Sequence, residues 1–197
     1  MIFRSDFLRA VFYRLRHSSP KISTQRYVLP QIKELWNDGE LTPATGIERE
    51  QMDAQSYVYS EQLSELNESG IQCPPLGASS LTLNAWRWVA NPITEHCFHP
   101  VAVRNPPRLL KEDTPSKVCS CWGLSMYLTL DQSVLAFRYL EKNFKMARKR
   151  LGDHVACISI TPTHGVCSAA DRYGHFDLHP YATANLNSSV SGVSPIP

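Results

Sequence analysis

The chain has 197 residues, a formal net charge of +2, and 43% hydrophobic against 19% charged residues. That balance fits one globular domain with a real core, and it speaks against a broadly basic nucleic-acid binder. Fourteen prolines against nine glycines argue against a simple helical bundle, and no run of about 18 apolar residues exists to span a membrane.

The small net charge hides an uneven layout. Residues 1–33 carry seven Lys/Arg and one acid, residues 34–99 two and ten, and residues 100–197 eleven and seven. An acidic surface segment packed near basic ones accounts for this. Arg4, Arg9, Arg14 and Arg16 are not followed by an uninterrupted apolar stretch, so no secretory leader is expected. The expectation is a cytoplasmic protein whose six cysteines are reduced thiols.

The first element is IFRSDFLRAVFYRLRH, where Phe3, Phe7, Leu8, Val11, Phe12 and Leu15 recur at helical spacing. It predicts an amphipathic helix over residues 1–20 that either docks on the core or meets a partner or membrane surface. Residues 27–38 predict a short helix after Pro30. Residues 47–69 read as an acidic helix ended by Gly70, and this helix and the basic N-terminal one are the candidate surfaces for a protein partner. TLNAWRWVA fits strand or helix, and VAV, between prolines, fits a short strand.

The second half is more explicit. GLSMYLTL alternates, with Leu124, Met126, Leu128 and Leu130 on one side, and predicts a half-buried strand. Asp131 is placed to cap a long helix whose core stripe is Phe137, Leu140, Phe144, Ala147 and Leu151, stopped by Gly152. VACISIT is apolar on both sides and reads as a central strand. HFDLHPY reads as another strand, and LNSSVSGVSPIP as a flexible tail over residues 186–197. The fold class is therefore α+β: one domain over residues 21–185 with a mixed or antiparallel sheet and flanking helices.

Chemistry points first to His175, Asp177 and His179. In a strand they share one face, with Phe176 and Leu178 on the other. A carboxylate beside an imidazole orients it and favours its charged form, which suits proton transfer or anion binding, so these three are the candidate catalytic residues. An exposed polar strand face gives the same pattern. Trp122, Tyr127, Thr129, His164 and Tyr181 are the candidate ligand-binding residues around them. Zinc is not expected, because no CxxC occurs, although Cys119 and Cys121 would share a face if they led into a strand. KMARKR complements a helix C-terminus, so nucleic acid is not an expected partner. No GxSxG, GxGxxG or GxxxxGK[ST] is present.

YLTLDQSVLAFRYL resembles the strand-then-helix segment of small ADP-ribosyltransferase-like domains, over residues 122–181. In that family an aromatic residue, a Ser/Thr and a small residue on the following helix line the nicotinamide pocket, and Tyr127, Thr129 and Ala136 stand at those positions. The resemblance implies an NAD-like nucleotide as ligand. It departs from the family in having no Glu after Glu141 to match the common late catalytic Glu. The alternative is a non-enzymatic interaction protein, in which the His–Asp–His face is solvated surface.

Overall fold

The computed structural model describes residues 55–197. The expected N-terminal helix, the helix after Pro30 and residues 47–54 of the acidic helix lie outside the described residues. The elements in chain order are α1 (Ser60–Glu68), β1 (Leu83–Val89), α2 (Val101–Arg104), α3 (Pro115–Ser120), β2 (Leu124–Tyr127), α4 (Leu130–Asn143), α5 (Ala147–Leu151), β3 (His154–Ile160), β4 (Gly165–Cys167), β5 (His175–Pro180) and β6 (Val190–Pro195). Six strands form one antiparallel sheet in the order β4-β5-β2-β1-β3-β6, with helices flanking it, so the fold is α+β. Among the described residues no helix is long and apolar enough to cross a membrane.

Alternation sets the two faces. Ala85, Val89, Leu124, Met126, Ala156, Ile158, Ile160, Phe176 and Leu178 form one buried apolar layer. On the other face Trp86, Trp88 and Val155 pack with Phe137 of α4, Ala147 of α5 and Ile196. β3 is central, as its two apolar sides predict: it pairs with β1 over seven positions and with β6 on its other edge.

Several local expectations are corrected. Among the described residues of the acidic segment the helix covers Ser60–Glu68, and Tyr57 is drawn instead into a bridge with Tyr181. VAV is a turn of helix rather than a strand. Thr129, not Asp131, caps α4: its hydroxyl accepts from the Gln132 N–H at 3.2 Å. This ends β2 at Tyr127 and leaves Leu128 and Leu130 exposed. The long helix is two, broken at Phe144–Met146, so Phe137 and Ala147 are buried but Phe144 is not. Residues 186–197, expected as a flexible tail, form a 3-10 turn and then β6, anchored by Ile196, whose N–H donates to Asp153 O at 2.8 Å. Arg148, from the basic cluster, donates to Ile196 O and Pro197 O and pairs with Glu141, so it holds this end in place.

The thiols are not all free. Cys73, in the loop after α1, is disulfide-bonded to Cys119 of α3, while Cys97, Cys121, Cys157 and Cys167 are free. Cys119 and Cys121 lie at a helix end rather than in a strand, so they do not share a face.

Candidate functional site

β1 separates from β2 almost at once. The two strands register only at Trp86↔Tyr127, whereas β2 and β5 pair over four positions. Arg87 fills the break. Its Nε donates to Cys97 O (2.8 Å), its Nη1 to Ser125 O (2.8 Å) and its Nη2 to His99 O (3.2 Å). A guanidinium has five donors in a planar fork, so it can serve several carbonyls at once, here one of β2 and two of the turn at residues 95–99. Arg87 is buried, and burial brings its pKa down to about 10, with Arg104 acting the same way and Cys97, Asp177 and Tyr59 opposing. A cation remains at neutral pH.

On the strand-β2 side of this seam the polar residues of β5 line up. His175 lies opposite Tyr127 and Asp177 opposite Ser125. The Tyr127 and His175 rings meet edge to face with centroids 5.4 Å apart. His175 Nε2 is 3.7 Å from Asp177 Oδ1, and the Ser125 hydroxyl donates to the same oxygen at 3.4 Å. Asp171 Oδ1 accepts from the His175 N–H and fixes the entry to β5. Tyr127 also packs on Trp88, which donates its indole N–H to Ser133 O of α4. Burial, reinforced by Asp171 and Asp177, pushes the Tyr127 hydroxyl well above its usual range, so it stays protonated.

The expected polar comb is thus real, but it does not face open water as an exposed strand would. His175 is half-buried, Asp177 is 8% exposed and His179 is 1% exposed. The row runs from a rim at His175 to a closed interior at His179, under Cys119 of α3. Gly123 makes that interior possible, since a Cβ there would stand 2.7 Å from Asp177 Cβ.

The structure brings Tyr127, His175 and Asp177 together, and the other predicted residues serve elsewhere. Thr129 is spent on the α4 cap. His164 closes the β3–β4 turn, its Nδ1 accepting from the Thr161 N–H at 2.9 Å and its Nε2 meeting Ser189 Oγ at 2.9 Å. Trp122 packs on Tyr59, and Tyr181 on Tyr57. Arg87 and Ser125 join the site unpredicted. The one signal in the sequence was a charged residue at an inward step of AWRWV, between Ala85 and Val89.

A cavity of about 210 Å³ lies by Leu83, Leu128, Cys167 and Phe176. It is lined by Cys167 and Phe176 of the apolar layer and by none of the comb residues, and it falls below the roughly 300–1,000 Å³ of ordinary small-molecule pockets. Comparison with protein-family models, with curated proteins and with solved structures gave no match.

Proposed function

We propose that the chain binds an NAD-like nucleotide at the seam between β1 and β2. The observation that carries this reading is the single-pair junction at Trp86↔Tyr127, where Ser125, Tyr127, His175 and Asp177 share one sheet face and Arg87, which alternates with Trp86, reaches the Ser125 carbonyl from the other. Each has a role suited to such a ligand. The half-buried His175 is the entry group, able to donate to a phosphate or ribose oxygen. Asp177 orients it and accepts from a ribose hydroxyl. Tyr127 offers a ring edge to a flat heterocycle, and the Arg87 cation lends a positive field. Ala136, half-buried on α4, is the small residue that the ADP-ribosyltransferase-like resemblance would set beside the ligand. Asp177 is a late carboxylate, one methylene shorter than the Glu of that family.

Thermal shift with NAD+ and ADP-ribose tests the reading. Stabilisation of the wild type that is lost in His175→Ala and in Asp177→Asn supports it. No stabilisation of the wild type, or equal stabilisation of the variants, rejects it.

A partner-binding role is the second reading. It is favoured by Leu135 (69% exposed) and Tyr139 (74% exposed), one turn apart on α4, and by the acidic α1 with Glu61, Glu65 and Glu68. Leu135→Ser with Tyr139→Ser would then abolish a discrete complex or oligomer seen by light scattering, and leave the nucleotide response unchanged.

A further inference from the structure

The fold buries an imidazole and gives it almost nothing to bind. His179 is 1% exposed, and its Nδ1 has no hydrogen-bond partner among the described residues. Among the described residues its one contact in hydrogen-bonding range is from Nε2 to Cys119 Sγ, at 3.9 Å. A disulfide sulfur has no proton to give and accepts weakly, so this contact satisfies neither nitrogen. An unsatisfied polar side chain this deep calls for an explanation, and an ion is one of the standard ones.

The neighbours are the right kind. The sulfurs of Cys73 and Cys119 and a ring nitrogen of His179 all lie within 4.8 Å of one another, and all three residues are buried. Three separate elements hold them. Cys73 is pinned by Asn67, which accepts from the Cys73 N–H at 2.9 Å and donates to Cys73 O at 2.8 Å. Cys119 sits on α3, capped by Thr114, and His179 sits on β5. Gly123 leaves the imidazole its space, since a Cβ there would lie 3.3 Å from both Cε1 and Nε2. A disulfide alone accounts for the two cysteines. It leaves the histidine unexplained, where an apolar side chain would pack better.

We propose that Cys73, Cys119 and His179 form a redox-gated site for a zinc-like divalent cation, closed as a disulfide when oxidised and open as two thiolates and one imidazole when reduced. A dithiol reductant breaks the Cys73–Cys119 bond, leaves as its own disulfide, and yields two thiols. The cation then displaces one proton from each thiol and takes the lone pair of a neutral imidazole nitrogen, with water in the fourth position. Metal–sulfur and metal–nitrogen bonds of about 2.3 and 2.0 Å in a tetrahedron place sulfur and nitrogen on the order of 3.5 Å apart. The present 3.9 Å therefore needs little change, and mainly the sulfurs must part. The N/S donor set selects zinc or cobalt over magnesium or calcium. This site is independent of the nucleotide reading, since none of the three residues contributes to it.

Cobalt(II) titration of the full chain, with and without prior reduction by a phosphine, tests the site. Reduced wild type should take up about one cobalt ion per chain, with thiolate-to-cobalt absorption, and release it to zinc. Oxidised wild type should show no such absorption. Cys119→Ser and His179→Gln should lose at least tenfold in affinity, and Cys121→Ser, altering a free cysteine outside the triplet, should retain it. Absence of thiolate–cobalt absorption in reduced wild type overturns the proposal without any variant. So does uptake that is unchanged in Cys119→Ser and His179→Gln.

Discussion

β1 has two neighbours and treats them differently. With β3 it registers over seven residue pairs, from Leu83↔Ile160 to Val89↔His154, and with β2 at one. Where the ladder is complete, both faces fill with apolar side chains such as Ala156, Ile158 and Val155. Where it fails, the Arg87 guanidinium takes up the Ser125 carbonyl, and the hydroxyl, imidazole and carboxylate of Ser125, His175 and Asp177 line up along one face of β2 and β5. Backbone that cannot pair within the sheet must find other partners when buried. The same requirement brings in Arg87 at this seam.

The largest effect expected from breaking this contrast is at Arg87. Arg87→Met keeps much of the volume but leaves one buried and two part-buried carbonyls without this donor, a loss of about 3 kcal/mol at roughly 1 kcal/mol or more each. Urea unfolding measures it, and a loss under about 1 kcal/mol would mean that the seam does not depend on the guanidinium. Next comes the staple on the β2–β5 side. The Cys73–Cys119 bridge spans a sequence separation of 46, which corresponds to about 2–4 kcal/mol of stabilisation. A reductant in metal-free buffer should lower the unfolding midpoint accordingly, and should do nothing further to Cys73→Ser.

The complete ladder should be more forgiving. Ile158→Val, a single methylene in the apolar layer, should cost about 1 kcal/mol by the same measurement. The smallest effect is a pH dependence at His164, which ties the β3–β4 turn to Ser189. Burial lowers its pKa in the folded state below the usual 6.5. Below about pH 6.5 the unfolded chain therefore takes up a proton that the folded one resists, and stability falls as pH drops. His164→Gln should remove that part of the slope. A slope identical to wild type would show that His164 is not held neutral by burial in the folded state.

Much of the sheet was legible from alternation. β3 and β5 follow it closely, and the register of Phe137 placed α4 on its core face. Period-two patterning also put His175, Asp177 and His179 on one side. It could not say whether that side was wet, because burial is decided by α3 and α4 and not by the strand. Arg87 was hidden for a related reason, since a charge within a strand reads as a solvent-facing step until a broken ladder gives it carbonyls. The tail escaped because Val190, Val193 and Ile196 stand three apart, and the register of β6 on β3 shifts at Cys157/Ile158. The Cys73–Cys119 pairing is a tertiary fact that local sequence does not encode.

Hydrogen–deuterium exchange with and without NAD+ tests the central claim most directly. Without ligand, amides at the β1–β2 junction should exchange faster than those of the β1–β3 ladder, because fewer of them are ladder-bonded. With NAD+, protection should rise in the peptides covering residues 122–129 and 171–179, and β3 should stay as it was. Equal exchange at the two junctions, or NAD+ leaving both peptides unchanged, would contradict the account.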